Sequence, residues 1–325
     1  MDTLDAMTAL FACTRAIHMG SCLLAMAVFF FDRFVARPHD RHWPGIARGL
    51  LMFALPVALL SGAVWFTCVA ITMSGLPPGE ALQWENLTMV WRETQFGHLW
   101  EVRAILYLGC AVISPIAIAL RPGSTMRVGL SWLGLIVNAS LVASLAWAGH
   151  GRFGESGSHL ACDALHLLIS AVWPVGLLPY AMLLAKFRAD DADQKWISAW
   201  RLTRRVSAVS LVSVILLTAT GILNSWPLVG SFSALFSTRY GQVLLLKIAI
   251  FFSMIALGGV NLLYLMPHMP HGGATDHGPL PRRMLSWLQL NVGAEIVLGI
   301  AVMLAVGLLG MLMPAVEHLL MHHHH

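Results

Sequence analysis

The run His159-Leu-Ala-Cys162-Asp163-Ala-Leu-His166 contains two imidazoles and a carboxylate. At ~100° per residue, positions 159, 163 and 166 share a narrow arc of one helical face. Such a donor set suits a transition-metal ion. Alternatively, Asp163 holds the second ring nitrogen of His166 and fixes its orientation. The preceding Gly149-His150-Gly151 turn is expected to bring His150 to the same stripe, giving a three-histidine cluster. His98, at the start of another apolar run, and His18, with Arg15 and Cys22 on its face, complete the candidate metal ligands. A lone histidine at a membrane edge is more often an interfacial residue, so the grouping carries the metal reading. Met73 and Met89 are the outward-facing candidates among 17 methionines, most of which serve packing. His268, His271 and His277 lie in a loop with Met266 and Met269, where a solvated turn is favoured over a metal site. Lys247 and Glu295 are charges inside apolar runs, at different depths. Asn138 and Asn261 are expected to hydrogen-bond across a helix bundle.

The elements that hold these residues follow from composition. Of 325 residues, 58% are apolar and 11% charged, against about 25% charged in an ordinary soluble domain. So few charges cannot cover a water-facing surface. About 20 apolar residues cross a bilayer as a helix, and eight runs qualify: roughly 7–31, 49–73, 99–120, 127–149, 159–187, 204–227, 240–266 and 284–312. The expected fold is all-α, a polytopic bundle of eight transmembrane helices forming one membrane domain over 1–316. Residues 317–325 form a tail ending in His322–His325, which has the form of an expression tag. Short breaker-rich connections such as Arg121-Pro122-Gly123 leave no soluble domain. Five cysteines without a C-x-x-C pair exclude zinc-finger and disulfide frameworks. No cleavable leader is expected, because the first apolar run contains Arg15 and His18 and continues for a full span.

Loop charge orients the bundle. The first, third, fifth and seventh loops hold 14 of the 20 basic residues, so they face the cytoplasm and both termini face outward, to the periplasm. His98, His150 and His159 then lie at the outer face, with His166 one to two turns deeper. The basic charge is a topology signal and requires no nucleic acid. In the longest outward loop, Trp84, Leu87, Val90 and Trp91 recur at helical spacing, with Glu85 and Glu93 off the stripe. This pattern predicts a short helix on the outer membrane surface. Trp43, Trp132, Trp196, Trp200 and Trp287 fall near the inner edge. Trp65, Trp84, Trp91, Trp100, Trp147 and Trp226 fall near the outer edge, as interfacial anchors would.

From about residue 200 the chain resembles the copper resistance protein D (CopD/PcoD) family. The likeness rests on Arg204-Arg205-Val-Ser207, Ala219-Thr220-Gly221-Ile-Leu-Asn224-Ser225-Trp226, Val229-Gly230-Ser231, Thr238-Arg239-Tyr240-Gly241, Leu245-Leu246-Lys247, Asn261 and Pro267, with the core motifs within about 200–310. Gly149-His150, Asp163-Ala-Leu-His166, Trp173 and His18 extend it across the chain. Leu262 departs from the pattern, where an arginine is expected after Asn261. The resemblance implies a multi-pass protein of the bacterial inner (plasma) membrane that moves copper from periplasm to cytoplasm, in partnership with a periplasmic copper carrier.

No P-loop and no Asp-Lys-Thr-Gly-Thr motif is present, so the favoured reading is a permease driven by a gradient or by the membrane potential. His150, His159 and His98 would capture the ion, and His166 with Asp163 and His18 would pass it inward. The main rival is a membrane-bound redox protein in which His18 and His166 ligate a b-type haem. A C-x-x-C-H motif is absent, which excludes covalent c-type haem. A third reading is a scaffold that docks a periplasmic copper protein through the Trp84–Trp91 helix. Whether the chain is an enzyme stays open.

Overall fold

Eight apolar helices long enough to cross a bilayer account for most of the chain in the computed structural model. The model describes residues 6–36, 40, 42–121, 123–148, 157–189, 194–268 and 279–317. The first span is α1 (Ala6–Phe30), prolonged by a π-helical turn (Phe31–Val35). The second is α2 (Trp43–Ser74), which starts six residues before the expected edge because Pro44 sits in its first turn, where a missing N–H costs nothing. It ends at Gly75, whose φ of 64° is the left-handed conformation that closes a helix. In the outward loop lie α3 (Pro78–Ala81) and α4 (Trp84–Glu93), and α5 (Gln95–Ala119) and α6 (Thr125–Ala143) complete the first half. The fifth span is α7 (Gly157–Ser170), a π-helical turn (Ala171–Val175) and α8 (Leu177–Ala189). Then come α9 (Gln194–Val229), the short α10 (Phe232–Ser237), α11 (Arg239–Val260) with a π-helical turn (Asn261–Leu265), and α12 (Pro279–Leu309).

Hydroxyls start several of these helices. The Thr94 and Thr238 side chains accept from the Gly97 and Gly241 amides, each at 3.0 Å, satisfying N–H groups that have no partner within the helix. Inside lipid the hydrophobic effect cannot drive helix against helix, so association rests on close packing at small residues. α1 is the central helix, against α2, α6, α12 and the π turn of the fifth span. Gly134 of α6 meets Phe29, and Gly307 of α12 meets the Ala12 backbone, so closely that an added Cβ would clash. Near the inner end, Asp32 accepts from Arg127 Nη2 (3.1 Å), Trp43 Nε1 (2.7 Å) and Ser131 Oγ (2.8 Å), tying three spans together.

The surface-loop helix forms as expected, with Val90 buried and Trp91 packed on Phe66, whereas Trp84 is 77% exposed. Three tryptophans assigned to the interfacial belts turn inward instead. Trp43 bonds Asp32, and Trp65 and Trp100 are buried against His18. Asn138 does not cross the bundle: its amide donates to the Gly134 carbonyl of its own helix, at 2.8 Å.

Candidate functional site

Besides the Asp32 cluster, buried and half-buried polar groups collect in three places among the described residues. The first, between α1, α2, α5 and α6, centres on His18 and Arg103, both fully enclosed. Arg103 Nη2 donates to His18 Nε2 at 2.6 Å and to the Tyr107 hydroxyl at 3.3 Å, while Nη1 donates to Ser144 Oγ (2.5 Å) and the Leu141 carbonyl (3.2 Å). Because Arg103 can only donate, Nε2 is the acceptor and the imidazole proton sits on Nδ1, which donates to the Ala58 carbonyl at 2.9 Å. Trp65 and Trp100 flank the ring at 5.2 and 5.8 Å between centroids, and a Cβ at Gly62 would press on its Cε1. Both ring nitrogens of His18 are therefore committed, one of them to a cation. In this arrangement it has no lone pair for copper or for haem iron, and it lines neither cavity described below. The residues present do not fit a haem ligated by His18 and His166.

The second place is a cavity of about 150 Å³ in the outer half, between α1, α7, α9, α11 and α12. His159, Asp163, His166, Asn224, Tyr240, Lys247 and Arg15 line it. The expected stripe on α7 thus faces one space. Thr220 Oγ1 donates to the Leu216 carbonyl at 2.7 Å, so its contact with His166 Nδ1 at 2.8 Å is one in which the imidazole donates. That leaves Nε2 as an unprotonated lone pair with no partner among the described residues. Asp163 Oδ1 accepts from Asn224 Nδ2 at 3.3 Å, and Lys247 lies within its electrostatic field. Opposite His166 is Gly221, where an added Cβ would lie 3.6 Å from Cε1. His159 and His166 are seven residues apart, about 10 Å along the axis, too far to grip one ion together.

His98 does not join them. Its Nδ1 pairs with Glu101 Oε2 at 3.5 Å on an exposed face of α5. His150 lies outside the described residues, as do His271, His277 and Met269. His268 bonds the Tyr264 carbonyl of its own turn at 2.6 Å. Among the described residues, no three His, Cys, Asp or Glu side chains are close enough to hold a metal ion.

The third place is a cavity of about 140 Å³ in the inner half, between the fifth to eighth spans. Glu295, near the middle of α12, is buried at its upper end, with Oε1 accepting from Asn261 Nδ2 at 2.8 Å. Asn291 Nδ2 in turn donates to Asn261 Oδ1 at 2.9 Å. Lys247 belongs to the outer cavity and Glu295 to the inner one, so the two do not pair directly. Between the cavities stand Trp173, edge-on to Phe251 at 5.9 Å, and the fully buried Met254 beside Gly299.

Sequence reasoning missed Arg103, Tyr107 and Asn291, and it named Thr220 only within a resemblance motif, without its bond to His166. Arg103 carried a usable signal, being a charge a few residues inside an apolar run, with Tyr107 one turn on.

Two family models match the chain. One, described as the N-terminal domain of copper resistance protein D-like proteins, covers residues 3–160, and the other, described as copper resistance protein D, covers 200–309. The chain belongs to the copper resistance protein D family. Copper resistance protein D of Pseudomonas syringae pv. tomato is 28% identical over 280 residues, 83% of this chain and 85% of the relative. Copper transport protein CutJ of Bacillus subtilis is 27% identical over 254 residues, 78% of this chain but 46% of the relative, so the chain spans about half of that protein. Inner membrane protein YebZ of Escherichia coli is 26% identical over 309 residues, 92% of this chain and 97% of the relative. No solved structure matches. With eight apolar spans and a relative named an inner membrane protein, the chain is a multi-pass inner-membrane protein. The first matched stretch holds the His18–Arg103 centre, and the second supplies the α9, α11 and α12 walls of both cavities. Asp163, His166 and Trp173 fall between the two.

Proposed function

We propose that this chain is a copper permease, which takes the ion from the periplasmic side into the outer cavity and passes it inward. The observation that carries the reading is His166: its proton is fixed on Nδ1 by Thr220, and Nε2 is left as a bare lone pair on a polar cavity within the membrane. Asp163 one turn before it adds an anionic oxygen, already oriented by Asn224. A borderline nitrogen donor with one carboxylate suits copper, and two donors release an ion that a closed four-ligand cage retains. Arg15 and Lys247 on the same walls oppose a resting cation, which favours passage over storage. His159 acts as an earlier contact nearer the outer mouth. Family membership and the relative named a copper transport protein support copper as the cargo. Without a nucleotide motif, inward movement draws on the concentration gradient and on the membrane potential, worth about 2.3 kcal/mol per charge at 100 mV. The donor to the outer mouth would be a periplasmic copper carrier.

The test is copper uptake into liposomes holding the purified full-length protein. His166→Ala is expected to lower uptake to that of protein-free vesicles, while melting in detergent stays within a few degrees of wild type. Uptake at the wild-type rate would refute the proposal.

A further inference from the structure

The inner cavity has a chemistry of its own. Glu295 is 2% exposed near the middle of the bundle, and its Oε2 faces Gly258, where an added Cβ would lie 3.7 Å away. Oε1 is held by Asn261, which is held by Asn291, so the carboxyl is aimed, with one oxygen toward open space. On the α9 wall, Thr203, Ser207 and Ser210 lie on one helical face and all line the cavity. Apart from Glu295, Asn261 and Tyr180, the remaining walls are apolar, with Trp173 and Leu177 from the fifth span, Ile255 from α11, and Leu288 and Val292 from α12. No Lys, Arg or His lines it among the described residues. Tyr180 is the other titratable lining group, and its hydroxyl is bound to Thr203 at 2.9 Å.

An ionised carboxylate in such a place lacks a compensating charge, and burial strongly disfavours it. It must therefore take up a cation. A metal ion is poorly served: there is one carboxylate, the Asn261 carbonyl oxygen already accepts from Asn291, and the other side-chain oxygens are neutral hydroxyls, whereas a hard cation needs about six oxygens with charge among them. A proton needs a single oxygen. About 140 Å³ with a hydroxyl-bearing wall also holds a few waters, each needing only about 10–15 Å³ of such space and two or more polar partners. We infer that Glu295 is a proton-binding site served by water in the inner cavity. The proton binds Oε2 to give the neutral acid, and leaves to cavity water to give the carboxylate. This assignment is independent of what the outer cavity carries.

The experiment is infrared difference spectroscopy of the full-length protein in liposomes, titrated from mildly acidic to alkaline pH. The wild type is expected to show a protonated-carboxyl C=O band that decays as pH rises. Glu295→Gln should remove that band, and Glu295→Asp should retain it at a shifted frequency. A titrating band unchanged in both variants, or no such band in wild type, would overturn the assignment. Discharge of the band by sodium or potassium at constant pH would also overturn it, and give the site to an alkali cation.

Discussion

His18 and His166 are both histidines in membrane spans, the first fully enclosed and the second half-buried, and their surroundings leave them with different atoms to spare. His18 donates to a carbonyl, accepts from a guanidinium, and is walled by aromatic rings. His166 has one nitrogen fixed by Thr220 and the other turned to a cavity. On the proposed function, what separates a structural imidazole from a ligand is the number of lone pairs that the fold leaves uncommitted. Residue type is the same for the two and decides nothing.

The contrast can be broken or sharpened by substitution. The largest stability effect is expected for Arg103→Met, which strands acceptors on His18 and Ser144 within a dry core. Loss of charge-assisted bonds at this site should cost about 3 kcal/mol, read as a lower melting temperature in detergent. If the protein survives, copper uptake should persist, because the outer cavity is untouched; loss of uptake in a folded variant would merge the two centres into one. Thr220→Val is milder and tests the other half. It removes the acceptor that fixes the His166 tautomer, and such supporting bonds are worth about 10-fold or more in metal affinity. The concentration of copper giving half-maximal uptake should rise by about that factor, with little change in melting. An unchanged value would show that the Thr220 bond does not prepare His166.

Much of the fold was legible because a bilayer imposes few solutions, and apolar run length alone gives the spans. The α7 stripe was legible for the same reason, since residues three and four apart on one helix share a face whatever surrounds them. Contacts between helices were not. Nothing in the spacing of His18 tells that Arg103, on another helix, holds its second nitrogen, so a structural histidine was grouped with possible ligands. His98 was misplaced likewise, because its span start was visible and its exposed partner Glu101 was not weighed. The π-helical turns left no periodic trace, each being a single-turn departure within an otherwise regular apolar run. Trp65 and Trp100 show the converse error: depth matched an interfacial belt, while direction round the helix put them on His18.

A glycine stands on the wall of each chamber beside one of its polar side chains. Gly221 stands across from His166, and Gly258 across from the free oxygen of Glu295, each at ordinary van der Waals distance for a methyl. Alanine at either position would fit without strain, and in a helix interior it is favoured over glycine by up to about 1 kcal/mol. The bundle thus forgoes rigidity at two points and keeps room beside His166 and Glu295. A single methyl at Gly221 should therefore leave melting no lower than in wild type and, if the outer cavity carries copper as proposed, slow its uptake.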